Sequence, residues 1–205
     1  MTVELLPIDN RLLYNLGLFE EAQLLTGSGA GTNLRGLLNR SGIQTRGLVG
    51  DAATGNADTI FKAMTDVETG TGLAADGIVI NPTDYQTFRL SKDSNNQYYG
   101  GGFFTGPYGV GGVMEKPPLW GLRTVVTPAI TAGTVLVGAF QQSSTLYRKG
   151  GVRVEATNSN EDDFIKNKVT IRAEERVALA VRVPAAPYQT RSPARSCGSP
   201  AQPRV

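Results

Sequence analysis

The feature that most constrains the fold is an alternation of apolar and charged side chains between Lys168 and Val183. The apolar positions share one parity: Val169, Ile171, Ala173, Val177, Leu179, Val181 and Val183. Within this parity only position 175, which is a glutamate, is not apolar. Because successive side chains of a strand point to opposite faces, the pattern predicts one long ribbon with a buried face and a charged face. The fifteen residues from Val169 to Val183 span roughly 50 Å, more than a compact domain of this size needs, which favours a subunit built for assembly.

Composition bounds the size of the fold and argues against one class of partner. A chain of 205 residues with 40% apolar content supports one large domain or two modest ones. Three of the 20 basic residues follow Pro187, where no acidic residue occurs. Residues 1–187 therefore carry 17 basic and 18 acidic groups, a net charge of −1. This body of the chain lacks the charge of a basic nucleic-acid binder.

The inventory of reactive side chains excludes several kinds of site. The chain has no histidine, and its single cysteine is Cys197. A disulfide framework, a zinc site of Cys/His type and a triad with a histidine base are therefore excluded. No apolar run is long enough to span a membrane, and no basic segment precedes an apolar one at the start. We predict a cytoplasmic protein with no cofactor, no metal and no membrane partner.

A glycine-rich segment, Gly27–Gly36, follows a predicted helix over Asp9–Thr26. A phosphate-binding loop needs Lys followed by Ser or Thr after its last glycine, and Leu37 and Leu38 stand there instead. The dinucleotide-binding fingerprint needs a third glycine where Thr32 lies, and it follows a strand rather than a helix. We interpret the segment as a structural turn.

The middle of the chain predicts a mixed α/β layer. A second helix is predicted over Asn56–Glu68, then a buried strand over Ile78–Ile80. Asn81 is a typical N-cap and is followed by Pro82 at the first helical position. Seven glycines and five aromatic residues fall within residues 98–112. Two interpretations stay open for this segment: a mobile loop that covers the local core, or a loop between subunits.

The second half of the chain predicts further strands and a disordered end. Apolar strands are predicted over Leu119–Thr127 and Thr134–Phe140. Gly150-Gly151 is a plausible hairpin turn between strand signals at Leu146-Tyr147 and Val152–Ala156. Residues 188–205 are rich in turn formers and have no periodic apolar face, so we predict a disordered tail.

Several motifs occur in an order that resembles one protein family. They are Thr32-Asn33-Leu34, Ile80-Asn81-Pro82-Thr83-Asp84-Tyr85, Leu119-Trp120-Gly121-Leu122, Thr134–Phe140, Phe164-Ile165-Lys166-Asn167 and Glu174-Glu175-Arg176. In order and spacing they resemble the C-terminal two thirds of tailed-phage major capsid proteins of the HK97 fold, over about residues 9–187.

The resemblance implies an α+β, HK97-like capsid fold. It implies a remnant of the P-domain over residues 1–47, an A-domain that is an α/β wedge over 48–145, and a P-domain β-ribbon over 146–187. The family's N-terminal arm and extended E-loop would precede Met1, so we expect this chain to lack both.

The resemblance also implies a structural role. The chain would be a major capsid (head) protein of a tailed phage or prophage, would form hexameric and pentameric capsomers, and would enclose phage DNA without sequence-specific binding. It would not be an enzyme. It would lie in the virion capsid, and in the host cytoplasm before assembly. The alternative within this fold is an encapsulin-type compartment shell that encloses a cargo protein.

Some members of the family join subunits through an isopeptide bond between a Lys on the E-loop and an Asn of the P-domain, assisted by a Glu. Asn167 and Glu174 match those two P-domain positions. The competing interpretation is a turn Asn and a Glu that pairs with Arg172 or Arg176. From another functional class, an enzyme could use Asp162 and Asp163 as a carboxylate pair, although adjacent acids usually mark a solvated turn.

Overall fold

The structure, a computed structural model, describes residues 5–47, 52–92, 95–98, 118–159 and 161–191. Helices and strands are mixed, which confirms the predicted α+β class. The helices are α1 (Leu5–Thr26), α2 (Ala52–Thr71), α3 (Pro82–Arg89) and α4 (Phe140–Ser143), with a 3-10 turn at Leu37–Asn39. The strands are β1 (Gln44–Gly47), β2 (Gly77–Ile80), β3 (Arg123–Val126), β4 (Thr134–Gly138), β5 (Ser144–Arg148), β6 (Arg153–Thr157), β7 (Thr170–Glu174), β8 (Val177–Val181) and β9 (Pro187–Arg191).

The chain divides into two compact units, each built from two segments. The first unit contains Met1–Ile43 and Phe140–Pro184. The second unit contains Gln44–Ala139 and Ala185–Val205. The domain boundaries implied by the resemblance stay a prediction.

The second unit is built on a five-stranded sheet in the order β1-β9-β4-β2-β3. Strand β4 is antiparallel to both of its neighbours, whereas β2 and β3 are parallel, as are β1 and β9. Every residue of β4 is buried. The core of this unit therefore lies along β4 and β2, as their unbroken apolar runs predict.

Helix α2 covers part of this sheet. Its buried apolar residues are Ile60, Ala63 and Val67, which follow helical spacing. They belong to the same buried set as Ile78 and Leu136 of the sheet. The helix is longer at both ends than the predicted Asn56–Glu68.

Asn81 caps α3 as predicted, and its side chain makes one further contact. Its Oδ1 accepts a hydrogen bond from the Thr83 N–H at 3.0 Å, while its Nδ2 donates to the Ile130 carbonyl at 2.7 Å. Asp84 Oδ2 accepts from the Gly133 N–H at 2.7 Å. The first turn of α3 thus holds the connection between β3 and β4 as well as its own N-terminus.

The prediction of a disordered tail over residues 188–205 is wrong at its start. Tyr188–Arg191 belong to β9, which lies inside the sheet between β1 and β4. Tyr188 and Thr190 are buried there. Local composition favoured disorder, but two neighbouring strands supply the ladder bonds that the segment cannot make alone. Residues 192–205 lie outside the described residues.

The prediction of one uninterrupted ribbon strand is also wrong. The strand breaks at Glu175-Arg176, next to the residue that violates the alternation. Its two parts have different partners, since β7 pairs with β6 and β8 pairs with β5, both antiparallel. The Lys149 N–H donates to the Arg176 carbonyl at 3.0 Å across the break. The result is a two-part ribbon made of residues 144–157 and 170–181.

The predicted hairpin turn at Gly150-Gly151 is wrong for the same reason. Strands β5 and β6 do not pair with each other, because both pair with the returning chain. Gly150 instead has a φ of +78°, a left-handed conformation that suits glycine at a bend between consecutive strands. The predicted strand over Leu119–Thr127 is shorter than expected, and the segment 99–112 lies outside the described residues.

Candidate assembly surface

Helix α1 is tied to the ribbon by an arginine that two carboxylates share. Arg148 of β5 donates from Nη2 to Glu20 Oε1 at 2.6 Å and from Nη1 to Glu175 Oε1 at 2.8 Å. The side chains of Glu20 and Glu175 are largely buried, at 13% and 9% exposed. Glu175 therefore breaks the apolar alternation because it faces α1, where its charge has a partner.

This cluster carries one more negative than positive charge. Burial raises the pKa of Glu20, and the nearby Glu175 carboxylate raises it further, while Arg148 opposes both effects. A cavity of about 250 Å³ adjoins the cluster between α1, the glycine-rich turn and the ribbon. Its walls include Phe19, Leu34 and Val177.

The glycine-rich turn after α1 is a structural turn, as predicted. The Gly36 N–H donates to the Gly27 carbonyl at 2.9 Å, which brings the two glycines against each other. A Cβ on Gly27 would lie 2.3 Å from the Leu34 carbonyl oxygen, so no side chain fits there. Asn39 Nδ2 then donates to the Thr26 carbonyl at 2.7 Å and closes the end of the helix.

One face of the β6–β7 half of the ribbon carries a grid of alternating charges. Arg153 lies opposite Glu174, and Glu155 lies opposite Arg172. Arg172 approaches Glu155 at 3.0 Å, and Arg153 approaches the same carboxylate at 3.1 Å. The charges therefore balance within the chain, and because they are exposed the pairs add little stability.

The apolar side chains of the ribbon are only partly covered within this chain, because most of those in β7 and β8 are half-buried while those in β6 and in the turn before β7 are exposed. All of β6 is exposed, including Val154, and Val169 is 63% exposed. In the turn between β6 and β7, Phe164 and Ile165 are 77% and 83% exposed. The expected buried face is therefore half-buried along β7 and β8, and the apolar surface of β6 and of the turn is exposed. Contiguous exposed apolar side chains of this kind mark an interaction surface.

The first predicted cross-link residue, Asn167, lies in the turn that precedes β7. It is exposed and has a φ of +54°, a left-handed conformation that asparagine tolerates better than most residues. Its N–H donates to the Phe164 carbonyl at 3.4 Å. The geometry leaves the carboxamide on the surface of the ribbon.

The second predicted residue, Glu174, ends β7 seven residues later. Its Oε2 lies 3.7 Å from Arg172 Nη2, and its side chain is 41% exposed. It points into the charged grid rather than into the buried cluster, which contains its neighbour Glu175. Neither residue is held in a cavity that excludes water.

The sequence matches the family model described as the phage capsid family over residues 7–187. The chain belongs to the phage capsid family. A relative of known role is the major capsid protein of Enterobacteria phage HK97, which is 40% identical over 175 residues, covering 84% of this chain and 42% of the relative. The chain thus spans less than half the length of that protein.

Solved capsid structures show the same fold. The capsid protein of an empty GTA particle superposes with a TM-score of 0.67 at 19% identity, covering 91% of this chain and 65% of the other. A protein of Gordonia phage Cozz gives a TM-score of 0.66 at 12% identity, covering 92% and 63%. This phage capsid family member therefore has the HK97-like capsid fold that its motifs indicated.

The adjacent acids of the ribbon turn have structural partners in this family member. Asp162 accepts from Lys166 at 3.1 Å, and Asp163 accepts a hydrogen bond from the Thr170 hydroxyl. The Lys168 N–H donates to the Asp163 carbonyl at 2.8 Å. These contacts close the turn, which agrees with the interpretation of the pair as a solvated turn.

Two residues of this capsid-family chain, Arg40 and Trp120, make long-range contacts that have no signal in the local sequence. Arg40 Nη2 donates to the Leu179 carbonyl at 2.8 Å across 139 positions of the chain. Trp120 has a φ of +51°, and its indole N–H donates to the Ala57 carbonyl at 3.0 Å while its ring lies 5.0 Å from that of Phe61. Only a residue alignment or the fold itself could have paired them.

The described residues contain no group of three or more acidic, His or Cys side chains that is arranged to hold a metal ion. None of the helices in the described ranges combines the length and the apolar content needed to cross a membrane.

Proposed function

We propose that this chain is a structural shell subunit, the major capsid (head) protein of a tailed phage or prophage. Membership of the phage capsid family supports this role. The observation that carries it is the exposed apolar surface at the turn before β7, where Phe164, Ile165 and Val169 are 77%, 83% and 63% exposed. A capsid subunit needs such surfaces, because shell stability comes from many modest interfaces between copies.

The two compact units correspond in this proposal to the two domains of the capsid fold. The second unit, with its buried five-stranded sheet, is the A-domain near the capsomer axis. The first unit, with α1 and the ribbon, is the P-domain. The chain would pack as one wedge of a hexameric or pentameric capsomer.

The shell would enclose phage DNA without reading its sequence. Residues 1–187 carry a net charge of −1, so their charge does not favour tight binding to phosphates. The protein would therefore lie in the virion capsid after assembly, and in the host cytoplasm before it. It would have no catalytic turnover.

Assembly is tested on the purified chain by sedimentation velocity and electron microscopy. We expect capsomer rings or shells that dissociate when Ile165 is replaced by serine. Leu90→Ser is the matched control, because Leu90 is also exposed but lies in the second unit. A wild-type chain that stays monomeric at every concentration, alone and when mixed with a full-length relative, would contradict the proposal.

The contents of the particle separate a phage head from an encapsulin-type compartment. The family match favours the phage head. Particles recovered from the native host should protect DNA from added nuclease, and that DNA should become degradable once the shell is opened. Particles that contain a co-purifying enzyme and no protected DNA would support the compartment instead.

A covalent link between subunits at Asn167 is the finer part of the proposal. The nitrogen of a neutral lysine of a neighbouring copy would attack the Asn167 side-chain carbon, a new C–N bond would form, and ammonia would leave. Glu174 would take the proton from the lysine ammonium, which becomes nucleophilic only when neutral. The exposed carboxamide of Asn167 supports access by such a lysine.

Mass spectrometry of digested particles tests this link. A linked peptide pair should appear at a mass lower by one ammonia than the sum of the two peptides. Asn167→Ala should abolish the pair, whereas Asn158→Ala, at another exposed asparagine of the ribbon, should leave it unchanged. Absence of any Lys–Asn pair in assembled wild-type particles would refute the chemistry without affecting the shell role.

A further inference from the structure

Strand β9 has an unusual place for a segment so far along the chain. It lies inside the sheet, parallel to β1 on one side and antiparallel to β4 on the other. The rest of the second unit comes from Gln44–Ala139, so residues 140–184 intervene before β9 joins the sheet. The last of the described strands in chain order therefore fills an inner position.

The side chains of this strand are as buried as those of the core. Thr190 of β9 and Ala186 just before it are 0% exposed, and Tyr188 is 6% exposed. The Thr190 hydroxyl donates to the Val135 carbonyl of β4 at 3.2 Å. On the β1 side of the slot, Arg46 forms a hydrogen bond with Tyr188, and this bond is the largest cause of the raised pKa of Arg46. The slot between β1 and β4 thus has a defined side-chain pattern.

The pairing also shows what depends on β9. Among the described strands, β1 pairs with β9 alone, whereas β4 also pairs with β2, and β2 with β3. Without β9, the three strands β4, β2 and β3 keep their ladder, while β1 loses its described partner and β4 presents an open edge. The sheet therefore contains a part that is separable from the rest.

We propose that the slot between β1 and β4 is a binding site for an extended peptide with the sequence of residues 185–191. The chain's own β9 occupies it, and β9 opens together with β1 as one unit while β2, β3 and β4 stay paired. Main-chain hydrogen bonds supply the affinity, as in other cases where a strand is added to a sheet. The small Ala186, the ring of Tyr188 and the hydroxyl of Thr190 supply the selectivity.

The open state has a consequence for a shell subunit, and this clause rests on the proposed function. An open β4 edge is a template for pairing with another chain. Insertion of β9 removes that edge, so a subunit becomes competent for ordered assembly only once the segment is in place. The same slot could accept β9 of a second copy.

Hydrogen exchange of the full chain, followed by mass spectrometry across a denaturant series, tests the separable unit. Amides of residues 44–47 and 188–191 should share one opening reaction, at least about tenfold more populated than that of residues 77–80 and 123–126. One common opening for all five strands would overturn the proposal.

A pair of variants at Gln189 tests the binding site itself. Both variants remove the Gln189 side chain. Gln189→Pro also removes the backbone N–H from an inner strand, whereas Gln189→Ala keeps it. We expect the proline variant to raise exchange at residues 44–47 at least about tenfold and the alanine variant to change it less than threefold. A synthetic peptide of residues 185–191 should restore protection in the proline variant, and a scrambled peptide should not.

A milder variant covers the case in which Gln189→Pro fails to fold. Thr190→Ala removes two buried heavy atoms, the hydroxyl oxygen and a methyl carbon, but leaves the ladder intact. In this variant, hydrogen exchange should rise at residues 44–47 and 188–191 at a lower denaturant concentration than at residues 77–80. An equal rise at all of them, or no rescue by the peptide in a folded proline variant, would refute the site. None of these readouts requires the chain to assemble.

Discussion

The two units of this chain use apolar side chains differently. In the second unit, β4 is buried along its whole length, and Ile78 and Ile80 of the neighbouring strand are 0% exposed. In the first unit, every residue of β6 is exposed, and the apolar residues of the alternating segment in β7 and β8 are only half-buried. An unbroken apolar run therefore forms an internal core in one unit, whereas the alternating segment forms a half-buried face in the other.

The difference indicates where each unit obtains its stability. The second unit buries its apolar surface within the chain, so its core stabilises the folded subunit. The first unit keeps a ribbon whose apolar side chains are half-buried or exposed, and its α1 is tied to the ribbon through the Glu20–Arg148–Glu175 cluster. Substitutions should therefore affect folding in the second unit and association at the ribbon.

The largest contrast is expected from matched isoleucine truncations. Ile78→Ala should lower the free energy of unfolding by about 2–5 kcal/mol, because it leaves a cavity in a closed core. Ile165→Ala should change it by less than about 0.5 kcal/mol, since the side chain is 83% exposed, yet it should weaken association. Denaturant unfolding and sedimentation velocity measure the two effects. Equal destabilisation would show that the ribbon turn is part of a core.

Two glycines of the first unit show where its backbone tolerates no side chain. Gly27→Ala places a Cβ against the Leu34 carbonyl and should cost about 1–3 kcal/mol, as overpacking does. Gly17→Ala, in the middle of α1 with open space around it, should instead stabilise the chain by about 1 kcal/mol. Thermal unfolding of both variants checks the signs. A neutral Gly27→Ala would mean that the turn is not closely packed.

Asn81 separates two contributions within the second unit. Asn81→Ala loses both the cap of α3 and the bond to Ile130, so we expect a loss of about 1–2 kcal/mol. Asn81→Ser retains a capping oxygen but cannot reach the distant carbonyl as an amide does, and should cost roughly half as much. Denaturant unfolding at one pH measures both. If Asn81→Ser lowers the free energy of unfolding as much as Asn81→Ala does, the hydrogen bond to the Ile130 carbonyl contributes more than the cap.

The smallest expected effect is a pH dependence in the first unit. Because the pKa of Glu20 is raised in the folded chain, its contribution to stability is present below the ordinary value of 4.5 and is lost as the pH rises through the raised pKa. Glu20→Gln cannot ionise, so its stability relative to the wild type should increase as the pH rises between about 4 and 7. Unfolding curves at several pH values measure this difference. A constant difference would contradict the assignment.

Much of the second unit was predictable because its signals are local. Asn81 followed by Pro82 predicts the start of a helix, and α3 begins at Pro82 in the structure. The apolar run at Thr134 predicted β4 for the same reason. The family resemblance, which rests on motif order across the chain, was confirmed by the family match. Asn167 and Glu174 remain predicted cross-link positions.

The missed features depend on partners far apart along the chain. The alternation around Glu175 predicted strands, but it could not show that Arg148 and Glu20 hold that carboxylate. Gly150-Gly151 has the composition of a hairpin turn, yet its flanking strands pair with the returning chain. Local composition alone could not distinguish a hairpin turn from a bend.

The sequence by itself determined the α+β class, the capsid family and the positions of most helices and strands, because spacing and caps are short-range properties. The tertiary structure decided that the alternating ribbon divides between two partners and that its apolar side chains stay only half-buried. It also decided that Tyr188–Arg191 form an inner strand, since their order comes from ladder bonds to β1 and β4. Burial and pairing are properties of neighbours in space, and a strand pattern does not specify its neighbours.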